Sequence, residues 1–354
     1  MGSFLDIAGA FDSTSFAAIT NACTKFGIDQ TIVKWIDYML KSRIVEFSLD
    51  DFSIAVQVVK GCPQGAVLSP LLWLLVINDL LTNLNNSGFT SQSYADDLVI
   101  TISGKSLVTI SELMQVALSI VEFWCRGKGL HVNPTKTDIV IFTRRRIIEG
   151  FSSPMLFGKR INKSDHVKHL GVVLDSKLLW KQHVDLKIQK AFAIFWQCRR
   201  AFGKTWGLAP NMLHFIYKSL VLPMLCYASI VWWPTVNSSS TINKLNGLQN
   251  TACRAITGAM LSTPLLAMET LLSLPTLHSL ILNKACSAAF RLRCIGAWNT
   301  FGAEVGHRKI LGIYKSSITE LDMVNDRLLP TYQFANSFTI SYPSRELWAS
   351  EDFI

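Results

Sequence analysis

Residues 91–102 read SQSYADDLVITI, and this stretch decides how the first half of the chain folds. Two runs that favour β-strand, 91–94 and 98–102, flank the adjacent acids Asp96 and Asp97, and this pattern is typical of a β-hairpin. Carboxylates at a hairpin tip can point toward one site while the strands behind them stay buried. Asp is also common in turns, because its side chain bonds to the local backbone, so this pair alone is weak evidence for a catalytic site.

A second acidic group lies near the start of the chain. Residues 4–7 (FLDI) predict a short buried strand that carries Asp6 near its end, and Asp12 follows just before a helix expected to begin near Ser13 and Thr14. Strand ends and hairpin tips can bring both acidic groups to one point. Carboxylate oxygens gathered there would suit Mg²⁺, and two such ions can activate an attacking hydroxyl and stabilise a leaving pyrophosphate.

The segments between these acids alternate between helical and strand-like patterns. Helices are expected over 31–41, 69–81 and 107–124, strands over 56–59 and 138–143, and a Gly/Pro-rich turn over 61–65. Strands and helices mixed in this order predict an α+β layer. From Trp180 onward the pattern is helical, with prolines that mark breaks at 210, 223, 234, 264 and 275.

Positive charge is concentrated in residues 126–204. This stretch holds 17 of the 34 Lys and Arg but only 5 of the 25 Asp and Glu, so the rest of the chain is slightly acidic. Such a basic block favours a polyanionic partner, although a solvated surface would have the same composition. Within the block, Val184, Ile188 and Ala191 recur at steps of four and three, so residues 181–204 predict a basic amphipathic helix.

Cysteine spacing and hydropathy bear on other classes of protein. The eight cysteines occur singly, without a C-x-x-C pair, so they indicate neither a zinc site nor a disulfide framework, and buried thiols in a reducing compartment are the simplest interpretation. The apolar run 212–233 is long enough for a membrane span, but His214, Lys218 and Pro223 interrupt it. We therefore expect a buried helix pair that is broken at the proline.

Five stretches resemble motifs A to E of the reverse transcriptases of non-LTR retrotransposons, in the same order and at plausible spacing. They are FLDIAGAFD (4–12), GCPQGAVLSPLLW (61–73), YADD (94–97), GLHVNPTKT (129–137) and HLGV (169–172). An ordered set of five is far more specific than either acidic pair alone, and it covers roughly residues 4–175. Residues 204–210 and 231–233 are more loosely similar to the segment after the thumb in jockey- and I-like elements.

The resemblance implies a domain organisation. Residues 1–175 would form a right-hand polymerase palm, a mixed or antiparallel sheet with helices. Residues 176–205 would form a thumb-like basic α-helix, and residues 206–354 a helical connection region of unknown role. The fingers, endonuclease and ribonuclease H parts of the parent polyprotein are expected to be missing, so we expect the chain alone to be weak or inactive.

The resemblance also implies RNA-directed DNA polymerase activity with two Mg²⁺ ions, for which Mn²⁺ would substitute. Asp6 and Asp96 would be the main metal ligands, with Asp97 beside them. Phe11 would exclude ribonucleotides, because an aromatic ring there crowds the 2′-hydroxyl. Lys136 would protonate or stabilise the leaving pyrophosphate, and the alternative for Lys136 is a surface lysine without a catalytic role.

Further residues would hold the substrates, which are deoxynucleoside triphosphates, an RNA template and a DNA primer. Gln64 and Gly65 would border the incoming nucleotide and the template, where glycine permits close approach of the backbone. The turn formed by His169, Leu170 and Gly171 would hold the primer end. The thumb-like helix would contact the phosphates of the duplex through Lys187, Lys190, Arg199 and Arg200.

Two other functions compete with the polymerase as interpretations of these residues. A catalytically inactive, truncated nucleic-acid-binding remnant would fit the missing fingers, but it would not explain why Asp6, Asp96, Phe11, Gln64 and Lys136 are all intact. An RNA-dependent RNA polymerase is disfavoured by the aromatic gate. The expected location is intracellular, with nuclear action of the parent element or a cytoplasmic ribonucleoprotein, and no membrane partner.

Overall fold

The computed structural model describes residues 1–49, 52–145, 149–200 and 209–294. Helices and strands alternate as far as residue 175, and the regular elements described after residue 180 are helical. The chain separates into two compact units, with the boundary between Leu186 and Lys187. The mixture of helices and sheets agrees with the α+β prediction, while the predicted domain limits at 175 and 205 stay a prediction.

The strands of the first unit are short, and most of them precede residue 170. In the described residues they are β1 (Gly2–Ala8), β2 (Ile44–Leu49), β3 (Phe52–Gln57), β4 (Thr90–Tyr94), β5 (Asp97–Thr101), β6 (His131–Val132), β7 (Asp138–Val140), β8 (Met155–Leu156), β9 (Lys159–Arg160), β10 (Asn162–Lys163), β11 (His166–His169) and β12 (Val172–Asp175).

Helices separate these strands along the chain. They are α1 (Ala10–Ser13), α2 (Phe16–Lys25), α3 (Gln30–Lys41), α4 (Leu68–Asn86) and α5 (Leu107–Lys128), followed by α6 (Lys181–Arg200), which runs across the boundary between the units. Helix α5 begins after Ser106, whose hydroxyl accepts a hydrogen bond from the Thr109 amide, and it ends at Gly129, whose φ of 68° is readily adopted by glycine.

The largest sheet has β1 near its centre. Its strands follow the order β10-β7-β1-β5-β4, and β6 also pairs with the end of β1. Strand β1 is antiparallel to β5, β6 and β7, whereas β10 runs parallel to β7. In the pairing of β1 with β5, Phe4 lies opposite Val99 and Asp6 lies opposite Asp97.

The two faces of β1 are covered by different residues. Leu5 and Ile7 belong to the main core, together with side chains from α2, α4 and α5. Phe4 points to the other face and packs with Val140 and Val167. Because residues two apart on a strand share a face, Asp6 lies on the Phe4 side, where it is half-buried near the end of the strand.

Two local expectations for the region after β1 were wrong. The helix expected at Ser13 and Thr14 begins at Phe16, because Ser15 is the N-cap residue and its hydroxyl accepts from the Ala18 amide at 3.2 Å. The Thr14 hydroxyl instead donates back to the Ala10 carbonyl. The strand expected over 56–59 is Phe52–Gln57, and its partner β2 was not predicted.

The described part of the second unit consists of helical segments. They are α7 (Pro210–Ile216), a π-helical turn (Tyr217–Val221), α8 (Leu222–Cys226), α9 (Ser229–Trp232), a 3-10 turn (Trp233–Asn237), α10 (Ser239–Thr257), α11 (Leu265–Leu271) and α12 (Leu277–Cys294). A buried polar chain connects three of them. The Tyr217 hydroxyl donates to Gln249 Oε1 at 2.7 Å, and Gln249 Nε2 donates to Glu269 Oε1 at 2.9 Å.

Among the described helices, α5 alone is long and apolar enough to cross a membrane by length and composition. The core helix of a soluble protein passes the same test, and 39% of the most apolar window of α5 is buried. The segments Pro210–Cys226 and Ser229–Asn237 pass the test together but meet at an angle of 52°. The expected break at Pro223 was therefore misplaced, because Pro223 lies in the first turn of α8, where its missing N–H is tolerated.

Candidate active site

The pairing of β1 with β5 brings two of the predicted carboxylates face to face. Asp6 and Asp97 are direct cross-strand partners, and the Ile7 amide donates to the Asp96 carbonyl at 3.2 Å. Tyr94 pairs with Asp97, so the hairpin turn consists of Ala95 and Asp96. The predicted tip at Asp96-Asp97 is therefore shifted by one residue, and Asp97 is the first residue of β5.

The hairpin turn is held by a buried tryptophan from α4. Ala95 adopts a left-handed conformation with a φ of 53°. Its carbonyl accepts a hydrogen bond from the Trp73 indole at 2.7 Å and another from the Ser93 hydroxyl at 3.2 Å. Since a buried indole N–H needs an acceptor, Trp73 ties the turn that carries Asp96 to the core.

The carboxylates repel one another. Burial raises the pKa of Asp97 above its usual value, and the negative charges of Asp96 and Asp6 raise it further, while His169 opposes the shift. A carboxyl group surrounded by like charges is most stable when protonated or when a cation is bound beside it. The end of the β1–β5 pair is thus a place where a cation would relieve repulsion.

Lys136 supplies a positive charge to this group. Its Nζ lies 3.7 Å from Asp6 Oδ2, and its side chain is 67% exposed. Strand β6 pairs with β1 and leads into a turn in which the Thr135 amide donates to Asn133 Oδ1 at 3.0 Å. This turn brings Lys136 to the carboxylates, and the exposed ion pair itself contributes little stability.

The residues predicted to border the nucleotide lie on the motif A and motif B segments. The half-buried ring of Phe11 packs against Trp73, with 6.0 Å between ring centres. Gln64 Nε2 donates to both carboxylate oxygens of Asp12, at 2.9 and 2.8 Å. Gly65 adopts a φ of 84°, and a Cβ there would meet no atom of the described residues within 4 Å, so this glycine borders space that those residues leave open.

The predicted primer-holding turn lies beside the same sheet. His169, Leu170 and Gly171 form the end of the β11–β12 hairpin, with φ values of 47° at Leu170 and 76° at Gly171. The His169 ring lies 5.4 Å from the Phe4 ring. Burial lowers the pKa of His169, and the charge of Asp97 opposes this change.

The predicted duplex-binding residues belong to the second unit. Lys187 is half-buried, its Nζ lies 4.7 Å from the centre of the Tyr227 ring, and it donates to the Met224 carbonyl at 3.4 Å. Lys190 is exposed. The side chains of Arg199 and Arg200 lie outside the described residues. Their predicted contact with nucleic acid stays a prediction.

The carboxylates fit a hard cation by donor type. In the described residues no group of three or more His, Cys, Asp or Glu side chains is gathered closely enough to hold a metal ion by itself. Magnesium usually takes one or two carboxylates and fills its remaining positions with water and substrate phosphates. Asp6 and Asp97 supply two carboxylates with Asp96 next to them, and their role as metal ligands stays a prediction.

Three features of the site were not predicted from the sequence. The first is the Gln64–Asp12 contact, and the second is the bond from Trp73 to the hairpin turn. The third is Arg43, which contacts the segment before Gln64 and lies in a region where no motif was recognised. The only signal for Trp73 was its position within motif B.

Comparison with known proteins agrees with the motifs. A family model for reverse transcriptase (RNA-dependent DNA polymerase) matches residues 1–174. The chain is 27% identical over 254 residues to the retrovirus-related Pol polyprotein from type-1 retrotransposable element R1 of Bradysia coprophila. The aligned region covers 70% of this chain and 25% of that protein. It is 28% identical over 272 residues to the RNA-directed DNA polymerase from mobile element jockey of Drosophila melanogaster. This second aligned region covers 73% of this chain and 28% of that protein.

Among solved structures, apo telomerase from Candida tropicalis aligns with a TM-score of 0.38 and 10% sequence identity, over 88% of this chain and 53% of that one. The chain spans about a quarter of the length of the R1 and jockey relatives. The family match contains all five motifs and the whole central sheet. Residues 1–174 are a reverse transcriptase domain of the kind found in non-LTR retrotransposons.

Proposed function

We propose that this chain is the catalytic part of a longer RNA-directed DNA polymerase, which adds deoxynucleotides to a DNA 3′-hydroxyl on an RNA template. The observation that carries the proposal is the register of β1 and β5, in which Asp6 faces Asp97 and Asp96 occupies the adjoining turn. In this reading, residues 1–175 act as the palm of a right-hand polymerase and α6 acts as part of its thumb.

The carboxylates would hold the metal ions of this reaction. Asp6 and Asp96 would be the main ligands and Asp97 an additional one, and oxygen donors of this kind accept Mg²⁺ or Mn²⁺. Bound there, two ions would lower the pKa of the primer hydroxyl and stabilise the charge on the pyrophosphate. Burial raises the pKa of Asp97, and the charges of Asp96 and Asp6 raise it further. The repulsive part of this shift supports the assignment, because a bound cation would offset it.

Other residues of the site would act on the nucleotide. Lys136, already within 3.7 Å of Asp6, would donate a proton or a positive charge to the departing pyrophosphate. Phe11 would exclude a ribose by crowding its 2′-hydroxyl. Gln64 would border the incoming base, and its two bonds to Asp12 support that role because they orient it on the motif A turn.

The remaining predicted residues would hold the nucleic acid. The turn formed by His169, Leu170 and Gly171 would support the primer end beside Asp97. Lys190 and its neighbours on α6 would contact duplex phosphates without reading the sequence. We further propose that the parent protein acts inside the cell, either in the nucleus or as a cytoplasmic ribonucleoprotein.

The test uses a chimera in which this chain replaces the matched region of the jockey polymerase. With Mg²⁺, an RNA template and a DNA primer, the chimera should incorporate deoxynucleotides. Asp96→Asn should reduce incorporation to background while template–primer affinity changes less than about twofold, because the substitution removes an anionic ligand with little change in size. Asp37→Asn removes a surface carboxylate that pairs only with Lys41 in the described residues, and it should leave incorporation unchanged.

The same experiment decides between the polymerase and an inactive nucleic-acid-binding remnant. A remnant would bind the template–primer but show no incorporation that depends on Asp96. Equal incorporation by the chimera and its Asp96→Asn variant would refute the catalytic assignment of the β1–β5 carboxylates.

A further inference from the structure

Arg43 lies outside the five motifs and contacts three separate parts of the first unit. It follows the end of α3, and its Nε donates to the Leu40 carbonyl at 3.2 Å. One of its terminal nitrogens donates to the carbonyl of Gly61, the first residue of motif B. Its guanidinium also lies over the ring of Phe16, 5.6 Å from the ring centre.

The segment that Arg43 contacts also forms backbone hydrogen bonds with motif A and with Thr14, which follows it. The Gly61 amide donates to the Thr14 carbonyl at 2.7 Å, and the Cys62 amide donates to the Phe11 carbonyl at 2.6 Å. Gly61 has a φ of 84°, and a Cβ there would lie 2.6 Å from the Asp12 carbonyl oxygen. Only glycine fits so close an approach, so the two motifs are in backbone contact at this point.

Both backbone polar groups of Gly61 are therefore engaged, the amide by Thr14 just after motif A and the carbonyl by Arg43. Three residues later, Gln64 makes its two bonds to Asp12. The backbone of Arg43 is itself anchored, because its carbonyl accepts from the Val58 amide at 3.0 Å at the base of the β2–β3 hairpin. Loss of the Arg43 side chain would remove the hydrogen bond to the Gly61 carbonyl and loosen the start of motif B.

We infer that Arg43 is a positioning residue for nucleotide binding, which holds motif B against the motif A turn and thereby fixes Gln64 and the backbone of Phe11. The inference rests on the proposed polymerase function, because it explains the Arg43 contacts with Leu40, Gly61 and Phe16 (the Arg43 clamp) by a role in nucleotide binding. A planar guanidinium can bond to the Leu40 and Gly61 carbonyls in one fixed geometry while it lies on an aromatic ring, and a lysine ammonium cannot reproduce this combination.

The experiment compares Arg43→Met and Arg43→Lys with the matched control Arg254→Met. Arg254 is a similar clamp in the second unit, where it donates from the end of α10 to the carbonyls of Met260 and Leu261. Hydrogen exchange of the peptide that spans residues 58–66 should be roughly tenfold faster in Arg43→Met, intermediate in Arg43→Lys, and unchanged in Arg254→Met.

In the jockey chimera, Arg43→Met should raise the KM for deoxynucleotides roughly tenfold with a smaller change in kcat, because a displaced positioning group costs up to about 100-fold. Affinity for the template–primer should stay the same. Arg43→Lys keeps the charge and most of the packing, so its intermediate KM would distinguish positioning from loss of folding.

Unchanged exchange over residues 58–66 in Arg43→Met would overturn the inference, as would faster exchange with an unchanged KM. If the unsubstituted chimera neither binds nor incorporates deoxynucleotides, the proposed function fails and the inference fails with it. If the unsubstituted chimera is active but the Arg43 variants behave like it, only the inference fails.

Discussion

At the scale of single residues, the most informative group is Asp97, because its pKa has been raised by its surroundings. Burial is the main cause, and the charges of Asp96 and Asp6 add to it. For an acid whose folded pKa lies above its unfolded pKa, ionisation costs more in the folded state. The folded state is therefore destabilised as pH rises from the unfolded pKa through the folded one.

We predict that Asp97→Asn raises the melting temperature of the chain at pH 7 in buffer without divalent cations. The substitution removes a carboxyl group whose ionisation destabilises the folded state. The difference between the two proteins should shrink as the pH is lowered through the raised pKa of Asp97, where its carboxyl takes up a proton. Mg²⁺ should stabilise the unsubstituted chain more than the variant, because a ligand that binds only the folded state raises its stability. Thermal unfolding followed by circular dichroism measures all three effects.

Asp29 supplies a control of opposite sign for this experiment. Its side chain caps α3 and accepts from the Thr31 amide at 2.8 Å, and hydrogen bonds to Thr31 lower its pKa. The stability that Asp29 contributes is present above its unfolded pKa and is lost as the pH falls through the folded pKa. Asp29→Asn should therefore not raise the melting temperature at pH 7. A rise in both variants would show that the stabilisation does not come from the repulsion around Asp97.

At the scale of elements, helices with a buried stripe could be predicted to within a few residues. Helix α3 spans Gln30–Lys41 where 31–41 was expected, because its apolar residues recur at helical spacing and Asp29 caps its start. The β2–β3 hairpin was largely missed. Its apolar side chains, such as Val45, Phe47 and Val56, are exposed rather than packed in the core. The sequence of this hairpin therefore does not show the apolar pattern that a buried strand face produces.

Helix α6 offers a prediction that separates two lysines with different surroundings. Lys190 is exposed, whereas Lys187 contacts the Tyr227 ring and the Met224 carbonyl. We predict that Lys190→Ala weakens duplex binding and lowers the slope of log K against log salt by about one, as expected for one lost phosphate contact. Lys187→Ala should instead destabilise the chain by about 1 kcal/mol through lost packing on the tyrosine ring, with a smaller change in slope.

Salt-dependent binding to an RNA/DNA duplex, measured by fluorescence anisotropy, gives both slopes. Lys34→Ala, which removes an exposed lysine of α3 outside the basic block, serves as the control and should leave the slope unchanged. If Lys190→Ala also leaves the slope unchanged, α6 does not contact phosphates through this residue. The proposed thumb role would then lose its electrostatic support.

At the scale of the whole molecule, the motifs predicted which residues would lie close together. Only the folded chain shows the strand register and the contacts that bring them there. Both acidic groups could be placed at strand ends because their strands are apolar runs. The register that sets Asp97 opposite Asp6 depends on contacts from distant segments, such as the Trp73 bond that holds the turn at Ala95. The clamp at Arg43 depends in the same way on a hairpin that the sequence did not reveal.

At the same scale, the isolated chain is expected to perform only part of the reaction. The chain spans about a quarter of the R1 and jockey relatives, and positioning of the triphosphate accounts for a large share of phosphoryl-transfer catalysis. We predict that residues 1–354 alone incorporate deoxynucleotides at least roughly 100-fold more slowly than the jockey chimera under the same conditions. The carboxylates should nevertheless bind a cation in the isolated chain, because Asp6 and Asp97 are brought together within the first unit. Stabilisation by Mg²⁺ without incorporation would locate the deficit in substrate positioning, whereas incorporation at equal rates would show that this chain already contains the groups that hold the triphosphate.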